Sequence, residues 1–123
     1  MGVRFSEVVI DCADPGALAR FWCAVTGYAV DNASDAWVGI RGEGDRDIWI
    51  GFQRVPEGKA VKNRVHVDLA ASDVEAEAAR IEGLGARRLW VSEDPEDPFI
   101  VLADPEGNEF CVVLDRDLER PAT

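Results

Sequence analysis

The chain holds one histidine, His66, and three cysteines, Cys12, Cys23 and Cys111, with no Cys-x-x-Cys spacing. A single imidazole rules out a three-histidine zinc centre within one chain and leaves little for a Ser-His-Asp triad. His66 is the natural proton carrier, because an unperturbed imidazole titrates closest to neutrality. A hydrogen-bonded strand histidine is the plain alternative. Glu7, Asp11 and Asp68 lie in alternating segments; two such carboxylates held close would raise one pKa and give an acid/base pair. Solvent-facing strand carboxylates are the commoner arrangement. Trp37, Trp49, Trp90 and Phe99 offer rings either for a flat or cationic ligand or for the core. An odd cysteine count without a framework pattern suits reduced thiols in a cytoplasmic protein.

The elements that must position these groups follow from pattern. Residues 3–12 alternate, with Val8, Ile10 and Cys12 on one face and Glu7, Val9 and Asp11 on the other. Asp14-Pro15 then supplies an N-cap and a first-turn proline. Leu18, Phe21, Trp22 and Val25 make one helical face, and Gly27 stops a helix over 15–26. Strands are expected at 28–31, 36–41 and 47–55. Residues 56–63 read as a connector. The order then restarts: a strand at 64–70, a capping box of Ser72 and Glu75, a helix over 73–84 ended by Gly85, and strands at 86–91, 99–103 and 109–115. The spacing therefore predicts an α+β chain of two tandem βαβββ modules, about 3–55 and 64–115, in a single 1–123 domain with a polar tail at 116–123.

Composition bounds the function. The 123 residues carry 13 Lys+Arg against 24 Asp+Glu, a net charge of −11. Such a chain repels phosphate backbones and anionic lipid, so nucleic acid and membrane surfaces are poor partners. The N-terminal residues lack an apolar run of leader type, and no stretch approaches the ~20 apolar residues of a membrane span.

Several motifs carry a family resemblance: Asp14-Pro15, Phe21-Trp22 and Thr26-Gly27-Tyr28 in the first half, and His66-Val67-Asp68-Leu69, Leu84-Gly85-Ala86 and Leu102-Ala103-Asp104-Pro105-Glu106-Gly107-Asn108-Glu109-Phe110 in the second. With these the chain resembles the vicinal oxygen chelate superfamily, which includes glyoxalase I, bleomycin-resistance proteins and extradiol dioxygenases, and within it the glyoxalase-like subgroup. The resemblance implies curved sheets that form a partly open, barrel-like cavity, with helices on the convex side. Strand parity would then put Val8, Ile10, Ile48, Ile50, Phe52, Val65, Val67, Leu69, Phe110, Val112 and Leu114 under helices. Glu7, Asp11, Trp49, Gln53, His66, Asp68 and Cys111 would face the cavity.

Metal-dependent members hold one divalent ion with ligands on the first and last strand of each half. The matching positions are Glu7, Gly51 or Gln53, His66 and Cys111. Since the two last-strand glutamates of that pattern are missing, the expectation is a metal-independent protein without a cofactor. Were a metal present, His66, Glu7 and Cys111 would hold it. The resemblance implies a small-molecule-binding protein, with His66, Glu7 and Asp68 as catalytic candidates and Trp49, Gln53, Cys111, Asp11 and Trp37 as ligand-binding ones. The alternative is a metal-dependent lyase, isomerase or dioxygenase acting on a vicinally oxygenated substrate. Short members of the family pair, so a homodimer is expected.

Overall fold

The computed structural model describes residues 2–116. In chain order the elements are β1 (Val8–Cys12), α1 (Pro15–Thr26), β2 (Ala29–Ala33), β3 (Trp37–Arg41), β4 (Ile50–Arg54), β5 (Asp68–Ala71), α2 (Val74–Gly83), β6 (Arg87–Val91), β7 (Phe99–Ala103) and β8 (Glu109–Leu114). This is βαβββ twice. One compact unit runs to Lys59 and the second begins at Ala60. Each carries its own open four-stranded sheet, ordered β1-β4-β3-β2 in the first and β5-β8-β7-β6 in the second. The first strand of each module pairs parallel with the last, and the other pairings are antiparallel. Neither sheet closes into a barrel.

In the first module Asp14 caps α1, its carboxylate accepting the Ala17 N–H at 3.1 Å. Gly27 ends the helix at φ 79 and returns its N–H to the Cys23 carbonyl. Leu18, Phe21, Trp22 and Val25 are buried, and α1 packs them on β3 and β4, where Val38, Ile40 and Phe52 are also buried. The second module repeats this with Val74, Ala78 and Ile81 over Ile100, Leu102, Phe110 and Val112.

Four expectations need correction. First, Ser72 is not the cap of α2. Asp73 is, accepting the Ala76 N–H at 3.0 Å, and Glu75 reaches Arg88 instead of turning back. Second, α2 stops at Gly83, with Leu84 as C-cap; Gly85 follows at φ 122. Third, β1, β4 and β5 start three residues or more inside their expected ranges, so Glu7 and His66 precede their strands. A strand begins where a neighbour's ladder begins: Val8 pairs with Ile50, and Asp68 pairs with Cys111. Fourth, Val65 and Ile48 do not lie under helices, being 81% and 59% exposed, since both fall outside the ladders. Val8, at the start of β1, is likewise exposed, because α1 packs over β2, β3 and β4 rather than over that end of the sheet. Of the expected 116–123 tail, residues 117–123 lie outside the described residues.

Candidate functional site

The second module presents a polar cluster on the sheet face opposite α2. Asp68 and Cys111 are register partners on the adjacent parallel strands β5 and β8. The Cys111 N–H donates to the Val67 carbonyl at 3.0 Å and locks this pairing. Alternation puts Phe110 and Val112 under α2, so Cys111 must face the other way. His66 precedes the strand, and its Nδ1 lies 3.4 Å from Asp68 Oδ1. One donor atom each from His66, Asp68 and Cys111 falls within 4.8 Å of the others. His66 and Asp68 are exposed, whereas Cys111 is only 8% exposed.

The cluster forms one wall of a hollow of about 380 Å³. Trp90 and Phe99, on β6 and β7, line the same hollow and meet edge to face with ring centroids 5.1 Å apart. Trp90 reaches that face through an irregularity in β6. Arg88 pairs with Leu102, but Trp90 pairs with Val101, so two residues of β6 oppose one of β7. The extra residue reverses the parity: Arg88 binds Glu75 and Glu82 on the helix side while Trp90 turns into the hollow. Lys62, Asp97 and Glu109 complete the rim; Glu109 Oε1 also accepts the Asn63 N–H at 3.0 Å.

Burial pushes the Cys111 thiol pKa up. The Asp68 carboxylate adds to this by repelling the thiolate and accepting the thiol hydrogen bond, and Lys62 opposes both. Cys111 at neutral pH is therefore a neutral S–H donor, with the Asp68 carboxylate as its acceptor.

Glu7, Asp11, Trp37, Trp49 and Gln53 belong to the first module. Asp11, Gln53 and Trp37 form one row across β1, β4 and β3, since Gln53 is the register partner of both others. The Trp37 indole covers Gly51, where an added Cβ would run into its six-membered ring, and its Nε1 donates to Asn32 Oδ1 at 2.7 Å. Asn32 in turn covers Gly39 and donates to Asp31 at 2.9 Å. This sheet face is thus covered in part by its own side chains. Glu7 and Trp49 line a separate open depression with Arg4, Phe5 and Asp47, and the Arg41 guanidinium sits 5.0 Å from the Trp49 ring centroid.

The structure therefore brings His66, Asp68 and Cys111 together, Asp11, Gln53 and Trp37 together, and Glu7 beside Trp49. Sequence reasoning raised Trp90 and Phe99 only as rings for a pocket or the core. Lys62 was placed in the connector and given no role in a site. Nothing local in the sequence signals the irregularity at Trp90.

The fold and this site define a class. The family described as Glyoxalase-like domain matches residues 7–113, and the chain belongs to it. No curated protein sequence matches the chain. Among solved structures it is similar to the fosfomycin resistance protein FosX from Mesorhizobium loti, with 20% identity over 99% of this chain and 100% of that one, and a TM-score of 0.73. It is also similar to an E126Q FosX from Listeria monocytogenes complexed with Mn(II) and 1S,2S-dihydroxypropylphosphonic acid, with 14% identity over 95% and 94% and a TM-score of 0.77. A bleomycin-binding protein from Streptomyces verticillus, complexed with copper(II)-bleomycin, matches at 20% identity over 93% and 99%, with a TM-score of 0.64.

A manganese ion of the FosX kind asks for hard, mainly oxygen donors in octahedral array. The second module offers an imidazole, one carboxylate and a buried thiol, and the thiol does not fit that demand.

Proposed function

We propose that the chain is a small-molecule-binding protein that acts without a hard divalent ion, and that the second-module hollow takes an organic ligand with a flat apolar body. The observation that carries this reading is the pairing, within one hollow of about 380 Å³, of the Trp90–Phe99 ring pair with the His66–Asp68–Cys111 cluster. Apolar walls with a few convergent polar groups are the usual form of a ligand site, and this volume lies in the usual range of roughly 300–1,000 Å³. The rings would bury the ligand's body, while Asp68, His66 and the Cys111 thiol fix a polar group. If the bound molecule reacts, His66 is the group that moves a proton, with Asp68 holding its Nδ1 side. Glu7, Asp11, Trp37, Trp49 and Gln53 stay candidate contacts on their own module. The names of the similar structures, a bleomycin-binding protein and a phosphonate complex, support a small-molecule role.

A library of aromatic fragments, followed by ligand-observed NMR, tests the reading. Fragments should bind the wild type and be lost from Trp90→Ala and His66→Ala. The reading fails if no fragment binds more tightly than ~1 mM, or if binding survives both changes. We also propose a homodimer in a reducing compartment. Light scattering showing only a 13.5 kDa species at micromolar concentration would refute the dimer.

A further inference from the structure

We propose that the first module holds a binding slot of its own, filled in this structure by the Trp37 indole, and that the slot takes a planar heteroaromatic ring bearing an N–H donor. The inference goes beyond the second-module hollow and stands or falls apart from it.

The strand registers lay the two sheets on one another residue by residue. In the second module one row runs Asp68, Cys111, Val101, Trp90, and Phe99 stands two residues before Val101 on β7. The same row of the first module runs Val9, Gly51, Gly39, Asn32, with Trp37 two residues before Gly39 on β3. Where the second module lines its open hollow with Cys111 and Val101, the first has two glycines in direct register. Both glycines lie on central strands, where glycine weakens a sheet and marks the close approach of another group. Here that group is a side chain. The Trp37 ring covers Gly51 and the Asn32 amide covers Gly39, and a Cβ at either glycine would meet its cover. The first module thus repeats the second module's hollow with the floor stripped to backbone and an indole already in place.

The occupant states the chemistry. Its Nε1–H donates to Asn32 Oδ1 at 2.7 Å. The amide is oriented from behind: Asn32 Nδ2 donates to Asp31 at 2.9 Å, and Arg41 Nε holds Asp31 at 3.3 Å. With Nδ2 turned to Asp31, Asn32 presents an acceptor to the slot, which selects a ring with an N–H donor. Release of the indole breaks a solvent-exposed hydrogen bond to the edge strand β2, whose five residues are all exposed. An incoming ring of the same kind restores that bond and the cover over Gly51, while Trp37, the first residue of β3, swings outward.

Indole is the probe, and benzofuran is the same shape without the N–H. The tryptophan side-chain N–H resonances of the isotope-labelled full chain are followed by NMR, with that of Trp37 identified by its absence from Trp37→Leu. Millimolar indole should shift the Trp37 resonance in the wild type and leave that of the buried Trp22 in place. Trp37→Ala should bind indole about tenfold or more tightly than the wild type, because the ligand no longer competes with the built-in ring. On that background, benzofuran in place of indole, or the addition of Asn32→Ala, should weaken binding roughly fivefold. Adding Gly51→Ala should abolish it by filling the slot. Far-ultraviolet circular dichroism checks that each variant is folded, and the wild-type titration decides the matter without any variant. A wild-type Trp37 resonance that indole does not move overturns the proposal. So does a folded Trp37→Ala that binds no more tightly than the wild type, or binding that survives Gly51→Ala. A shift of Trp90 without Trp37 sinks the slot and leaves the second-module reading standing, and a shift of Trp37 without Trp90 supports the slot alone.

Discussion

Replacing Gly51 by Ala should dislodge the Trp37 ring that now occupies the space above the glycine. The added methyl would run into the six-membered ring of Trp37, with Cζ3 at 2.9 Å and two further ring carbons closer still. The indole must swing away, and it loses the Nε1 hydrogen bond to Asn32, worth about 1 kcal/mol. Trp37 is half-buried, so lifting it uncovers on the order of 60 Å² of apolar surface, another ~1.5 kcal/mol at about 25 cal/mol/Å². Alanine restricts the unfolded chain more than glycine, which returns roughly 0.4–1 kcal/mol. Gly51 has no positive φ, so no backbone strain enters. The net destabilisation is about 2 kcal/mol, to be read as a lowered urea midpoint with unchanged slope. Gly58→Ala, where nothing lies within 4 Å of the new methyl, is the control and should show only that gain of roughly 0.4–1 kcal/mol. In a Trp37→Leu background the Gly51→Ala penalty should largely vanish. A Gly51→Ala protein as stable as the wild type, or an undiminished penalty in that background, would refute the reasoning.

Asp104 is 4% exposed and its carboxylate accepts the Glu106 and Asn108 N–H groups and the Asn108 side-chain amide, so Asp104→Ala should cost about 3 kcal/mol by chemical denaturation. Asp73→Ala should lower stability by about 1 kcal/mol through loss of the α2 cap while Ser72→Ala has almost no effect; equal losses would restore Ser72 as the cap. The Cys111 and Cys23 thiols are both raised by burial, so the native state keeps their protons after the unfolded chain has released its own. Stability should therefore fall as pH rises above ~8.5, and folded Cys111 should be alkylated by iodoacetamide more slowly at pH 8 than an unperturbed thiol. A midpoint that rises between pH 8 and 10 would contradict the sign.

What could be read from the chain, and what could not, divides by the range of the interaction. Helix α1 was legible to both ends, because Asp14, Pro15 and Gly27 act on backbone groups within four residues. The βαβββ order was legible for the same reason, as caps, stripes and alternation are local. Strand starts were not. His66 sits outside β5 because the ladder begins where Cys111 arrives from forty-odd positions away. Parity put Asp68 and Cys111 on one face, but only register makes them neighbours. Trp90 turns inward through a two-against-one pairing that belongs to two strands at once. The glycine beneath Trp37 likewise has its reason in another strand.

The five-residue turn from Asp104 to Asn108 joins β7 to β8, pinned by its own carboxylate with Gly107 at φ 90. It acts as a ruler. Its length decides which β8 residue lands opposite Val101, and at present that is Cys111. Deleting one residue would bring Val112 there and turn Phe110 and Val112 into the hollow, stripping the wall of its thiol in a single event. Deleting two would restore the parity but put Val113 where Cys111 stands. The chemistry of this hollow can thus be rewritten residue by residue through substitution, whereas loop grafts or length changes at this hairpin would erase it. A library built to alter its specificity should vary the identities on β5, β6 and β8 and leave the count of residues between 103 and 109 untouched.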